Sequence, residues 1–169
     1  MESKRIARNV EAISSIVRRV SPSGQLHPPI LKKAAAGMKM LVTTGVPVNH
    51  AYTTMEQLWR LSAASPFPQT ETLERLVVTY AQVYSAGKAG EAQLKAFQSA
   101  GLPFLFHLKR MFYAQPPGVL TKVARSRGIP RERVGVVLAH LCTMLEKTTR
   151  DACEFPRLSD MLVMMEEES

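Results

Sequence analysis

The sequence predicts an all-α fold, an irregular multi-helix domain of about seven to nine short helices with no sheet. Apolar side chains recur at steps of three and four through most of the 169 residues, as on one face of a helix. Sustained alternation of apolar and polar residues, which marks a half-buried strand, is absent. Segments rich in proline and glycine separate the periodic stretches and so limit the length of each helix.

The N-terminal segment predicts an amphipathic helix, because its apolar residues follow one another at helical steps. These residues are Ile6, Val10, Ile13, Val17 and Val20. Residues 21–24 end this helix, and His27-Pro28-Pro29 predicts an extended chain. A single amphipathic helix is marginal alone, so we expect its stripe to pack on later helices or on another chain.

Two further helices are predicted before the break at Ser65-Pro66-Phe67-Pro68. The first ends at Gly45 and Pro47, and the second has Asn49 as its predicted N-cap. Their stripes are Leu31, Ala35, Met38 and Leu41, then Tyr52, Met55, Leu58, Trp59 and Leu61.

After this break, Thr70 is the predicted cap of a helix that ends at a left-handed Gly87. Its stripe is Leu73, Leu76, Val77, Tyr80 and Tyr84. A shorter helix carrying Leu94 and Phe97 follows and ends at Gly101. Pro103 then opens a helix with Phe104 and Phe106 beside the stripe Leu105, Leu108, Met111 and Phe112.

Residues 114–118 form a second break, and two tightly joined helices on either side of Gly128 follow. A last helix is predicted through Leu158, Met161, Leu162 and Met165. We therefore divide the chain into an N-terminal helical arm or subdomain (1–64), a helical domain (65–150) and a short helix with an acidic tail (151–169).

The net charge of +8 is distributed unevenly. Residues 102–150 carry nine basic and two acidic side chains, whereas residues 151–169 carry one basic and six acidic side chains. A basic segment attracts nucleic acid, anionic lipid or an acidic protein surface. A solvated surface without a partner is the alternative interpretation.

No motif of catalysis or cofactor binding occurs in the sequence, so we expect neither an enzyme nor a cofactor, metal site or small-molecule substrate. The four histidines are scattered, and two cysteines, Cys142 and Cys153, are too few for a disulfide scaffold. No apolar run is long enough to predict a membrane span.

The spacing of Ala124, Gly128 and Val134 is compatible with a DNA-binding helix-turn-helix, and equally with any tight helical hairpin. Basic residues surround this turn: Lys122, Arg125, Arg127, Arg131 and Arg133. A basic DNA- or RNA-binding regulator that uses residues 119–145 is therefore the alternative function.

Four motifs occur in order between residues 65 and 146: Ser65-Pro66-Phe67; Gly87-Lys88-Ala89-Gly90-Glu91 with Leu94; Ala100-Gly101-Leu102-Pro103 with Leu108; and Leu120, Val123-Ala124, Gly128-Ile129, Val134 and Leu138. In this order, the segment resembles a domain of tape measure proteins of tailed bacteriophages. The resemblance implies a non-enzymatic structural protein of a phage or prophage tail, found in the virion tail or the host bacterial cytoplasm. The interval between Leu108 and Leu120 departs from the family pattern.

The partners expected on this basis are other phage tail proteins or further copies of the chain. We expect two sets of apolar side chains to pack against them. The first set is Ile6, Ile13, Val17 and Val20, and the second is Phe104, Leu105, Leu108, Met111 and Phe112.

Overall fold

A computed structural model describes residues 28–145 and 155–167, and within these residues the prediction of an all-α fold is confirmed. Eight helices and two very short strands occur in the described part of the chain. In chain order they are α1 (Pro28–Thr44), α2 (Val48–Ala64), α3 (Gln69–Ala86), β1 (Lys88–Ala89), α4 (Glu91–Ser99), α5 (Phe104–Phe112), α6 (Val119–Ser126), β2 (Ile129–Pro130), α7 (Arg131–Met144) and α8 (Leu158–Glu167).

Helices α1, α2 and α3 pack against one another and form the first part of the core. Gly37 of α1 brings the backbone close to its neighbours, because a Cβ there would lie 3.1 Å from Val77 of α3 and 3.3 Å from Met55 of α2. Each of these helices buries the apolar stripe that the sequence predicts, although Tyr52 and Tyr84 remain half-buried. Helix α8 packs on the outside of α1.

Prolines begin these helices where the sequence predicts other residues. Helix α1 starts at Pro28, so the prediction of an extended chain there is wrong. Pro47 and Pro68 directly precede α2 and α3, and the predicted caps Asn49 and Thr70 lie inside the helices instead. First-turn N–H groups have no acceptor within the helix, so a proline at a helix start loses no hydrogen bond.

The second part of the core lies between α4, α5 and α7. The ring centroids of Phe97 in α4 and Phe104 in α5 are 4.8 Å apart, and both side chains are fully buried. Helix α5 runs antiparallel to α7, since Arg133 lies beside Phe112 and His140 lies beside His107. Together these contacts fix the inner side of α5.

A two-strand antiparallel ladder joins the connection between α3 and α4 to the connection between α6 and α7. Ala89 of β1 pairs with Ile129 of β2, and the Arg131 N–H donates a hydrogen bond to the Gly87 carbonyl at 3.1 Å. The sequence predicted no sheet, because two-residue strands are too short to show alternation. Gly87 ends α3 with a φ of 78°, as predicted.

The buried apolar residues form one continuous cluster from Ile30 to Met164. Residues 28–64 therefore share their core with the helices of residues 65–145, while residues 1–27 lie outside the described part of the chain. Helix α8 contributes Met161 and Met164 to this cluster and exposes Leu162 and Val163. The predicted last helix is therefore present, but Leu162, one of the apolar residues on which its prediction rests, is exposed.

Candidate functional site

The structure divides the predicted packing residues into core and surface positions. Phe104 and Leu108 are fully buried inside the chain itself, so they are unavailable to a partner and their prediction as partner contacts is wrong. Leu105 is half-buried, and Met111 and Phe112 are partly exposed. The residues Ile6, Ile13, Val17 and Val20 lie outside the described residues.

Helix α5 presents an exposed aromatic and basic surface opposite its buried side. Phe106 is 61% exposed, and Lys109 and Arg110 follow it at helical spacing on the outer side of α5. Phe112, 36% exposed, continues this surface at the C-terminal end of the helix. Met111 is 37% exposed but lies about 140° around the helix from Phe106, on the side of the buried Phe104 and His107. We call Phe106, Lys109, Arg110 and Phe112 the α5 face.

The helical spacing of the sequence indicates that Phe106 lies away from the core. Grouping Phe106 with the apolar stripe misses this exposed position. Each residue advances the helix by about 100°, so Phe106 lies about 200° from Phe104, which is about 160° by the shorter way around the helix. An aromatic residue opposite a core stripe, next to two cations, indicates an exposed contact residue.

Arg133 of α7 adds a third cation at the end of the α5 face. Its Nη1 donates a hydrogen bond to the Tyr113 hydroxyl at 2.6 Å, and its guanidinium carbon lies 5.1 Å from the Phe112 ring centroid. Helix α5 contains no Asp or Glu, and no carboxylate of the described residues forms an ion pair with Lys109 or Arg110. The surface therefore has a positive potential and an aromatic centre.

Two histidines that are far apart in the sequence meet between α5 and α7. The ring centroids of His107 and His140 are 5.1 Å apart, and His107 is buried. Burial lowers the pKa of His107, and the neighbouring His140 and Arg110 lower it further. The neutral imidazole is therefore favoured at this interface. Sequence spacing offers no signal for a contact that arises from helix packing.

The predicted polyanion-binding residues have different environments. Arg125 forms an ion pair with Glu91 at 2.8 Å. Arg131 folds back over Tyr84, with its guanidinium carbon 4.2 Å from the ring centroid and Nη1 donating to the Tyr84 carbonyl. Lys122 and Arg127 are exposed. The structure thus engages Arg131 and Arg133, the two residues expected to open a recognition helix, in contacts within the chain.

The turn between α6 and α7 has the features that the sequence predicts. Ala124 and Val134 are buried, and Gly128 adopts a φ of 76°. A Cβ at Gly128 would lie 3.1 Å from the Ala89 carbonyl oxygen, so the glycine also allows β1 to approach. These features are those of a tight helical connection and do not by themselves indicate DNA binding.

A polar cleft of about 330 Å³ lies between α2 and α7. Glu56 and Arg60 form an ion pair at 2.9 Å beside it, and the buried Cys142 Sγ donates to the Gln57 carbonyl at 3.3 Å. Burial raises the pKa of the Cys142 thiol to about 11. The thiol therefore remains protonated at neutral pH and lacks the thiolate that nucleophilic chemistry requires.

The described ranges 28–145 and 155–167 contain no group of three or more His, Cys, Asp or Glu side chains arranged to hold a metal ion. None of the helices in the same ranges is long and apolar enough to span a membrane.

Comparison with protein-family models, curated proteins and solved structures finds no match to this chain. The resemblance of residues 65–146 to phage tape measure proteins therefore stays a prediction. The physical basis for a functional proposal is the geometry and charge of the α5 face.

Proposed function

We propose that this chain is a non-enzymatic helical interaction protein of a bacteriophage or prophage tail, and that it binds other tail components through the α5 face. The exposed Phe106 carries this proposal, because it lies on a helix whose other side is anchored by the fully buried Phe104 and Leu108. Exposed aromatic side chains supply much of the binding energy at protein interfaces. The assignment to a tail is supported by the resemblance of residues 65–146.

The contacts on the inner side of α5 favour binding, because the helix is already held in place before a partner binds. The stacking of Phe104 on Phe97 and the packing of α5 on α7 hold the helix in place. A rigid surface loses less conformational entropy on association than a mobile one. Phe106 is thereby presented to a partner in a fixed position.

The charge of the α5 face specifies the chemistry of its partner. Lys109 and Arg110 lie next to Phe106, and Arg133 lies beside Phe112. A partner surface with carboxylates around an apolar centre complements this arrangement and gains association rate from the opposite charges.

The location of the chain in tails is tested on tailed particles that are purified from the source bacterium after prophage induction. Antibody against the chain, detected with gold particles by electron microscopy, is expected to label the tail. Labelling of the head alone, or the absence of the chain from the particles, would contradict the proposal.

The predicted apolar stripe of residues 6–20 is a separate candidate for association. Deletion of residues 1–20 is expected to reduce the assembly state measured by light scattering while the helicity of the remaining chain persists. An unchanged assembly state after this deletion would remove the association role of the stripe.

Nucleic-acid binding is the second candidate function, and the exposed Lys122 and Arg127 beside the α6–α7 turn favour it. Binding of duplex DNA should then weaken steeply with salt, because each neutralised phosphate releases counterions. Replacing Lys122 and Arg127 by alanine should weaken binding and reduce the salt slope, whereas Arg131→Ala should have a smaller effect. A wild-type protein without DNA binding at physiological salt would exclude this function.

A further inference from the structure

We infer that the α5 face binds an acidic protein surface more tightly as the pH falls from about 8 to about 6, because a buried histidine pair lies next to this face. This inference rests on the proposed interaction function and describes how the same surface is regulated. It arises from the cluster that Phe106, His107, Arg110 and His140 form between α5 and α7.

Three rings form a continuous series from the surface to the contact between α5 and α7. The ring centroids of Phe106 and His107 are 5.1 Å apart, and those of His107 and His140 are also 5.1 Å apart. Phe106 is 61% exposed, whereas His107 is 6% exposed and His140 is half-buried. A partner that covers Phe106 therefore lies one ring away from the histidine pair.

The groups around His107 are all basic. On α5 the neighbouring charge is Arg110, and on α7 it is His140, whereas no charged group of α4 acts on His107. Arg133 of α7 lies two turns away from His140 and is bonded to Tyr113. Within the described residues, neither imidazole ring of the pair has a hydrogen-bond partner. Burial, His140 and Arg110 lower the pKa of His107, in this order of importance.

Arg110 connects the outer surface of α5 to the histidine pair. At about 100° per residue, Arg110 lies about 60° from His107 by the shorter way around the helix, whereas Lys109 lies about 160° away. Arg110 is exposed and forms no ion pair with a carboxylate of the described residues. A partner carboxylate that pairs with Arg110 offsets its positive charge beside His107. Protonation of the histidine pair is then less unfavourable in the complex than in the free chain.

The direction of the pH dependence follows from this difference. Because the complex binds a proton more readily than the free chain, the affinity rises as the pH falls through the range in which histidines titrate. A partner adds little further burial to oppose this effect, since His107 is only 6% exposed in the free chain. We expect a rise in affinity of about three- to tenfold between about pH 8 and about pH 6, the size typical of one compensated surface charge.

Binding of an acidic peptide to the full chain measures this dependence. The probe is a fluorescent helical peptide with glutamates on both sides of a leucine stripe, which complements the charge and the apolar centre of the α5 face. Its glutamates stay ionised down to about pH 6, so the peptide keeps its charge throughout. Fluorescence polarisation at constant ionic strength is expected to give a wild-type Kd that falls as the pH is lowered. Circular dichroism at each pH verifies that the chain is folded.

Lys109 and Arg110 provide a matched pair of surface variants. Both are exposed cations of the α5 face, but only Arg110 acts on His107. Lys109→Gln should weaken binding at every pH and keep the rise in affinity. Arg110→Gln should weaken binding and remove most of the rise. Neither side chain belongs to the core, so both variants are expected to fold.

The histidines are tested in the same assay. The variant His107→Phe/His140→Phe keeps two rings between α5 and α7 but removes the titrating groups, so its Kd should change by less than about twofold over this pH range. The control His50→Gln replaces an exposed histidine of α2 outside the cluster and should keep the full rise.

Three outcomes would overturn the inference: a wild-type Kd that does not change with pH, a full rise in Arg110→Gln or in the double histidine variant, or no binding of the peptide at any pH. These outcomes are separable from failure of the proposed function. A chain that enters tail particles through Phe106 but binds the peptide independently of pH would keep the function and remove this inference. Proton-dependent binding in a chain absent from tails would do the reverse.

Discussion

Arg133 and Tyr113 join α7 to the end of α5 through a 2.6 Å hydrogen bond from the guanidinium Nη1 to the phenol oxygen. The guanidinium carbon also lies 5.2 Å from the Tyr113 ring centroid, within the range of a cation–π contact. Tyr113 is buried, so its hydroxyl depends on Arg133 for this hydrogen bond. The pair therefore fixes the last turn of α5, where Phe112 is exposed.

Replacing Arg133 by alanine is expected to lower the free energy of unfolding by about 1–3 kcal/mol, because it leaves the buried Tyr113 hydroxyl without its donor. Tyr113→Phe should cost about 1 kcal/mol, since Arg133 then remains hydrated. Urea denaturation measures both values. Arg127→Ala provides the control, with an expected change within about 0.5 kcal/mol at an exposed position. Equal losses at Arg127 and Arg133 would contradict this role of the pair.

Replacing Phe104 and replacing Phe106 by alanine are expected to have very different effects on the free energy of unfolding. Phe104→Ala removes a fully buried ring that stacks on Phe97 and should cost about 3–5 kcal/mol of unfolding free energy. Phe106→Ala should change that free energy by about 0.5 kcal/mol or less, because the side chain is mostly exposed. Urea denaturation of both variants checks the assignment. A large loss at Phe106 would make it a core residue instead of a contact residue.

Much of the fold is predictable from the local sequence pattern. The stripe Leu73, Leu76, Val77 and Tyr80 is buried as expected, and Gly87 ends its helix in the left-handed conformation. Such features depend on residues close together in the chain, whose spacing records the helical period. The predicted helix caps Asn49 and Thr70 are wrong, because Pro47 and Pro68 occupy the N-cap positions of these helices.

The contacts that build the candidate site were not predictable in the same way. Arg131 over Tyr84, His107 beside His140 and Ala89 paired with Ile129 each join separate elements. These contacts form where separate elements pack against one another. Such packing leaves no periodic pattern in the sequence. Phe106 differs, because its position opposite the buried stripe was visible in the spacing.

Gly128 and Gly87 provide a matched test of the close approach between β1 and the α6–α7 turn. Both glycines have positive φ, but a Cβ at Gly87 would meet no atom within 4 Å, whereas one at Gly128 would meet Ala89 O at 3.1 Å. Gly87→Ala should cost about 1–2 kcal/mol from the left-handed backbone alone. Gly128→Ala should cost more in urea denaturation. Equal costs would show that β1 adjusts freely.

The buried His107 predicts a loss of stability in acid. Burial lowers the pKa of His107 below its ordinary value of 6.5, and His140 and Arg110 add to this effect. The unfolded chain therefore binds a proton more readily, and the free energy of unfolding should fall as the pH decreases below about 6.5. His107→Gln should reduce this fall in pH-dependent urea denaturation. An unchanged pH dependence in His107→Gln would contradict the assignment to His107.

Incorporation of Phe106→Ser into tail particles tests the central claim most directly. Tagged wild type, Phe106→Ser and the control Phe67→Ser, which replaces another exposed phenylalanine, are produced during prophage induction and quantified in purified particles. We expect wild type and Phe67→Ser at equal levels and Phe106→Ser reduced by about tenfold or more, as for loss of a central aromatic contact. Equal incorporation of all three proteins, or absence of the wild type from the particles, would contradict the account.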